Sequence, residues 1–141
     1  MLKIAKAGIA GASGFVLVRR ALREHRVSAE LGKGHFTVIA AGKVAGPMAS
    51  AFVVDAPGLV DAGLVATASL GENIEGLEWV QVGHPFPNEE SVLAGRKALD
   101  LARHVARDGR LVVLLSGGAS AGLSVPVPGL TLREKIEATQ S

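Results

Sequence analysis

A chain of 141 residues, 48% of them hydrophobic, carries enough apolar side chain for one domain with a core and is too short for two. Fifteen Lys and Arg against thirteen Asp and Glu leave a formal charge of +2, and with aromatics at only 4% no basic, aromatic-interleaved patch suggests nucleic acid. Cysteine is absent, which excludes disulfides and thiolate metal sites and fits a reducing, cytoplasmic location, and no run reaches the roughly 18 apolar residues that a membrane span needs.

The N-terminal stretch from Met1 to Arg20 carries Lys3, Lys6 and a small-residue run from Ala7 to Gly14, an outline shared with secretory leaders. Its apolar part is rich in Gly and Ala rather than Leu, and no clear cleavage site precedes Arg19-Arg20, so the segment reads as a helical lead-in to the domain. Phe15, Val18 and Leu22 recur at helical spacing opposite Arg19, Arg20, Arg23 and Glu24, which predicts an amphipathic helix over 14–26, packed on a sheet. After Gly32-Lys33-Gly34, the β-rich run His35 to Ala41 predicts a first strand buried on both faces. A helix follows over 43–54, with Pro47 tolerated in its first turn.

Residues 63–67 and 77–82 are the next strands. The polar link Ser69 to Gly76 is too short for a crossover helix, which leaves a hairpin or a bare-loop crossing open. The His84-Pro85-Phe86-Pro87 segment is held extended by its prolines, and Asn88 reads as the N-cap of a helix opening on Glu89 and Glu90. Ala94, Ala98, Leu101 and Val105 share one face of that helix. Arg96, Asp100, His104 and Arg107 share the other, with Arg96 and Asp100 spaced to pair. The helix is expected to stop near Asp108-Gly109 with a left-handed glycine cap, before the strand Arg110 to Leu115, the most strongly patterned in the chain. This alternation predicts a layered, Rossmann-like α/β domain with a mainly parallel sheet flanked by helices. The chain stops within a helical pattern begun near Thr131, so the domain is expected to be incomplete at its C-terminus.

Ligands of open α/β sheets bind beyond the carboxyl ends of the strands, and two turns qualify. In Ala41-Gly42-Lys43 a flexible glycine lets the backbone turn and Lys43 brings a cation, in mild conflict with the positive end of the following helix. In Ser116-Gly117-Gly118-Ala119-Ser120 small residues let an anion approach the backbone, and two hydroxyls can donate to it. An ordinary tight connection explains the same glycines, but its place at the end of the best strand favours a phosphate or carboxylate site. His84 either pins a loop, the commoner role, or lines the same edge. No His, Asp and Glu grouping has metal-ligand spacing, and neither Gly-x-Gly-x-x-Gly nor Gly-x-x-x-x-Gly-Lys-Ser/Thr is present.

Taken in order, Val38 to Met48 around Gly42-Lys43, Gly83-His84-Pro85-Phe86-Pro87-Asn88-Glu89, Leu114 to Ala121, and Pro126 to Lys135 resemble the glycerate 2-kinase family, whose C-terminal half is called the MOFRL domain. The resemblance runs over essentially the whole chain. It implies transfer of a phosphoryl group from ATP, with Mg²⁺, to the 2-hydroxyl of D-glycerate in a cleft between two α/β domains. It also implies that Lys43 is the functional lysine and that residues 116–120 are the family's Ser-Gly-Gly-Gly-Ser loop. Ala119 departs from the third glycine of that loop, and would strain it if the position needs positive φ; Asn88 replaces an Asp, with little effect expected. By this resemblance residues 1–141 form part of the N-terminal domain, without the MOFRL domain, and are inactive alone. Two other readings stay open: a hydroxypyruvate reductase-type oxidoreductase, and a truncated, non-catalytic anion-binding module.

Overall fold

The computed structural model describes residues 11–24, 34–69, 71–105 and 109–140. Within them the elements run α1 (Gly14–Glu24), β1 (Phe36–Ala41), α2 (Ala45–Asp55), β2 (Val60–Thr67), β3 (Glu78–Gln81), α3 (Glu89–Arg103), β4 (Arg110–Leu115), a single turn α4 (Ala119–Gly122) and α5 (Leu132–Gln140). The strands form one four-stranded sheet in the order β3-β2-β1-β4. Every pairing is parallel: β1 with β2, β1 with β4, and β2 with β3. The predicted α/β architecture is therefore the observed one, and the open choice between hairpin and crossing resolves to a parallel crossing made by loop.

β1 lies between two neighbours, and all its residues but Thr37 are buried. Its side chains alternate between two cores, as the pleat requires. Phe36, Val38 and Ala40 join Val65 under α2, where Ala45, Ala49 and Phe52 pack. Ile39 and Ala41 join Leu64, Ala66 and Val80 under α3, where Ala94 and Ala98 pack. Alanine dominates the helix faces and lets both helices sit close on the sheet. Phe36 and Phe52 meet edge to face at 5.4 Å between centroids, an arrangement worth about 0.5–1.5 kcal/mol beyond its buried area.

Several elements differ from expectation for identifiable reasons. The helix α1 packs chiefly on α2 rather than on the sheet: Gly14 brings the backbones together at Val44 and Met48, and Arg19 pairs with Asp55 at 3.0 Å. Its described part ends at Glu24, and residues 25 and 26 lie outside the described residues. α3 ends at Arg103 with His104 as its C-cap, earlier than predicted. Asp100 pairs with Arg103, one turn on, rather than with Arg96. The strand β4, the most apolar by sequence, lies at the sheet edge. Val112 and Leu114 pack against the α2-side core, whereas Leu111, Val113 and Leu115 are 40%, 50% and 59% exposed, because α3 lies over β1, β2 and β3.

The last helix buries none of its residues. It opens on a reciprocal cap in which the Thr131 N–H donates to Glu134 at 2.7 Å and the Glu134 N–H donates back to the Thr131 hydroxyl at 3.2 Å. The Thr131 N–H, and after it the Thr131 hydroxyl, hold the Glu134 carboxyl below its ordinary range. That cap is intact above the unfolded pKa and is lost as pH falls through the lowered one.

Asn88 is the N-cap of α3, as predicted, and Ser91 completes a capping box. The Asn88 Oδ1 accepts from the N–H groups of Gly83 and Ser91, each at 2.9 Å, and from the Ser91 hydroxyl. The same atom thus ties the start of α3 to the segment leaving β3. Asn88→Ala is expected to lower unfolding free energy by about 1–2 kcal/mol in urea titrations. Asn88→Asp keeps every accepted bond and is expected to match or exceed the native stability; a loss as large as that of the alanine variant would contradict this cap.

Candidate functional site

From β1 the chain crosses through α2 to β2 on one side, and from β3 it returns through α3 to β4 on the other side of β1. The turns leaving β1 and β4 therefore part toward opposite faces of the sheet, and a crevice opens between them at its carboxyl edge. This is the switch point at which doubly wound sheets place their ligands. Both sequence-predicted turns lie there.

The two turns are joined by the backbone. The Ser116 N–H donates to the Ala41 carbonyl at 2.9 Å, continuing the ladder, and the Lys43 N–H donates to the Gly117 carbonyl at 2.9 Å. The Ser116 hydroxyl donates to the Ala41 carbonyl at 3.3 Å and accepts from the Val44 N–H at 3.2 Å. A hydroxyl has one proton, and here it is committed to the clamp. The expectation that two hydroxyls face a ligand thus reduces to one, that of Ser120, which is exposed. Gly42 has φ of +111°, and a Cβ there would run into the Ser116 side chain and carbonyl, so this position admits only glycine.

Gly118 has φ of +89°, and a Cβ there would lie 2.6 Å from Cδ2 of His84. The imidazole lies against the glycine, and His84 itself is joined to Pro85 by a cis peptide bond. Ala119 opens the helical turn α4, so the left-handed residue is Gly118 and the alanine sits without backbone strain.

Among the described residues, the N–H groups of Gly117, Gly118 and Ser120 have no acceptor, while Ala119 N–H donates to the Ser116 carbonyl at 3.2 Å. Successive unpaired amides in a tight turn form a concavity suited to an oxyanion. Lys43 is exposed on the adjoining turn and makes no ion pair among the described residues, so its ammonium is available to the same ligand. Hydroxyl, amides and ammonium are all donors. They suit a phosphate or carboxylate and offer no ligand set for a cation, and among the described residues no group of three or more His, Asp or Glu could hold a metal.

Lys43 also lines a cleft of about 650 Å³ between α2 and the link from β2 to β3, which the sequence reading did not identify. Its residues are distant in sequence, and no motif marks them. The signal was the pair of glycines, Gly46 and Gly71, between which the Trp79 indole fits. Among the described residues, no helix is long and apolar enough to cross a membrane.

Residues 1–141 match the family described as Domain of unknown function (DUF4147). A protein named Glycerate 2-kinase from Pyrococcus horikoshii is 32% identical over 102 residues, which is 72% of this chain and 23% of that protein. One named "Putative hydroxypyruvate reductase" from Agrobacterium vitis is 31% identical over 114 residues, 79% of this chain and 26% of that protein. The crystal structure of glycerate kinase from Thermotoga maritima superimposes with a TM-score of 0.83 at 26% identity, covering 98% of this chain and 32% of that one. The chain spans about a quarter of the length of the curated relatives it matches.

The two turn glycines make different demands. Gly118→Ala combines a left-handed backbone with a clash against His84, and is expected to cost about 2 kcal/mol or more of stability. At Gly117 an added Cβ meets nothing within 4 Å, so Gly117→Ala is expected to stay within about 1 kcal/mol of native. Thermal unfolding of both variants checks this, and equal losses would show that the turn is not held as described.

Proposed function

From the premise that this chain belongs to the family described as Domain of unknown function (DUF4147), we propose that it supplies the phosphate-holding part of a glycerate 2-kinase-type phosphotransferase. The observation that carries this reading is that the turn of the exposed Lys43 is hydrogen-bonded, at the switch point of the sheet, to the turn holding the unpaired N–H groups of Gly117, Gly118 and Ser120. Phosphoryl transfer asks a protein mainly to position its reactants and to neutralise charge on the transferring group, and this array provides both. The relatives named for glycerate kinase from Pyrococcus and Thermotoga support the substrate, a small hydroxy acid.

In the proposed reaction the 2-hydroxyl oxygen of D-glycerate attacks the terminal phosphorus of ATP and releases its proton to solvent, the bond to the bridging oxygen breaks, and ADP leaves. Lys43 holds the non-bridging oxygens of that group, the turn amides donate to them, and the Ser116 clamp keeps the two turns in register. The described residues around the turn do not form a Mg²⁺ site, so the ion is expected to enter on the nucleotide phosphates. Because the relatives are about four times longer, turnover is assigned to the intact protein that carries this domain, and the 141-residue chain by itself is expected to bind phosphate without turnover.

The reductase name borne by the Agrobacterium relative favours a second reading, reduction of hydroxypyruvate by a nicotinamide cofactor. The turn after β1, Gly42-Lys43-Val44-Ala45-Gly46, lacks the spacing with which a dinucleotide fold receives pyrophosphate, and it carries a lysine instead. Assay of the intact protein separates the two. ATP, Mg²⁺ and D-glycerate are expected to give phosphoglycerate, and Lys43→Ala is expected to lower kcat by about 10²–10³ with an unchanged circular dichroism spectrum. Native-like activity in the lysine variant, or oxidation of NADH by hydroxypyruvate in place of phosphorylation, would contradict the proposal.

A further inference from the structure

The cleft beside Lys43 runs between α2 and the link from β2 to β3, and it is preformed rather than a gap between loose loops. Its inner wall is Trp79, whose Nε1–H donates to the Ser69 carbonyl at 3.2 Å. The indole ring fits only because Gly46, on α2, and Gly71, on the link, have no Cβ: one added at either would run into the ring. The Gln81 side chain donates to the Ala68 carbonyl at 3.3 Å and fixes the same link from the other end. Pro47, Val53 and Val54 provide an apolar side on α2, and Ile74 faces them from the link.

The cleft is electrically two-ended. Glu72 and Glu75 stand on the link and are exposed, whereas Lys43 stands on the turn after β1, whose backbone is hydrogen-bonded to Gly117. A volume of about 650 Å³ is within the range of small-molecule sites and well above what a three-carbon acid fills. The occupant that matches is elongated, with a flat apolar body, hydrogen-bond donors at one end and an anionic group at the other. We propose that this cleft receives the adenine and ribose of ATP: the base lies on the apolar side formed by Pro47, Val53 and Val54, with Trp79 as the inner wall, its exocyclic amine is directed to the carboxylates of the link, and its phosphates reach Lys43 and the Ser116 to Ser120 turn. The inference rests on the phosphotransferase reading and adds to it where the base binds and which residues select it.

Calorimetric titration of the chain with ATP and, separately, with inorganic tripolyphosphate tests it. Tripolyphosphate engages the turns alone, so ATP is expected to bind about tenfold more tightly or better. Val54 is 53% exposed, so Val54→Trp leaves the core untouched while filling the cleft. In that variant ATP affinity is expected to fall to the level of tripolyphosphate, with tripolyphosphate binding unchanged. Equal binding of the two ligands by the native chain, which needs no variant to fold, overturns the base subsite while leaving the phosphate turn standing. So does an ATP preference that survives Val54→Trp. Failure of tripolyphosphate itself to bind overturns the phosphate turn, and with it the subsite.

Discussion

Four hydrogen bonds hold the turn after β1 to the turn after β4: two reach the Ala41 carbonyl from Ser116, one joins the Lys43 N–H to the Gly117 carbonyl, and one joins the Val44 N–H to the Ser116 hydroxyl. Residues more than seventy positions apart are thereby fixed to one another where the sheet changes direction. Every other feature of the candidate site is arranged around this clamp. The carbonyl of Gly117 faces the Lys43 turn, and among the described residues the N–H groups of Gly117, Gly118 and Ser120 have no acceptor. Because Gly42 must accept Ser116 against its Cα, only a glycine with positive φ can precede the lysine. The His84 ring then closes the arrangement from β3 by lying on Gly118.

Most of this was legible in the sequence because it was written in local chemistry. Strand β1, the Asn88 cap and the glycine-rich turns announce themselves through apolar runs, a capping residue and backbone positions that suit only small side chains. What could not be read depended on partners far along the chain. β3 pairs with β2 in parallel, and nothing between Ser69 and Gly76 states that. The end of α3 was placed too late because Gly109 looked like a cap, whereas the helix stops at Arg103. Ala119 looked like a strained replacement, but the left-handed position is one residue earlier. The Ser116 hydroxyl looked like a ligand donor, and only its distances to Ala41 and Val44 show that it is already used.

The exposure of β4 bears on how the site is held. Val113 and Leu115 belong to the strand that carries the turn, yet their side chains are half or more exposed, so the β4 end of the clamp rests on its hydrogen bonds to β1 and on Val112 and Leu114 beneath α2. Beyond it, Ala119 and Leu123 pack against the core under α3, whereas the lysine and the cleft lie on the α2 side. A lysine at the start of a helix, unfavourable for the helix itself, becomes intelligible when an anion sits between it and the opposing turn.

The central claim is that Lys43 and the Ser116 to Ser120 turn form one oxyanion site, and nitrogen-15 NMR of the chain titrated with tripolyphosphate tests it most directly. The account predicts saturable shifts concentrated at the amides of Gly42, Lys43, Gly117, Gly118 and Ser120, abolished in Lys43→Ala. Shifts centred instead on the arginines of α1, or none at those turn amides at saturating ligand, would contradict it.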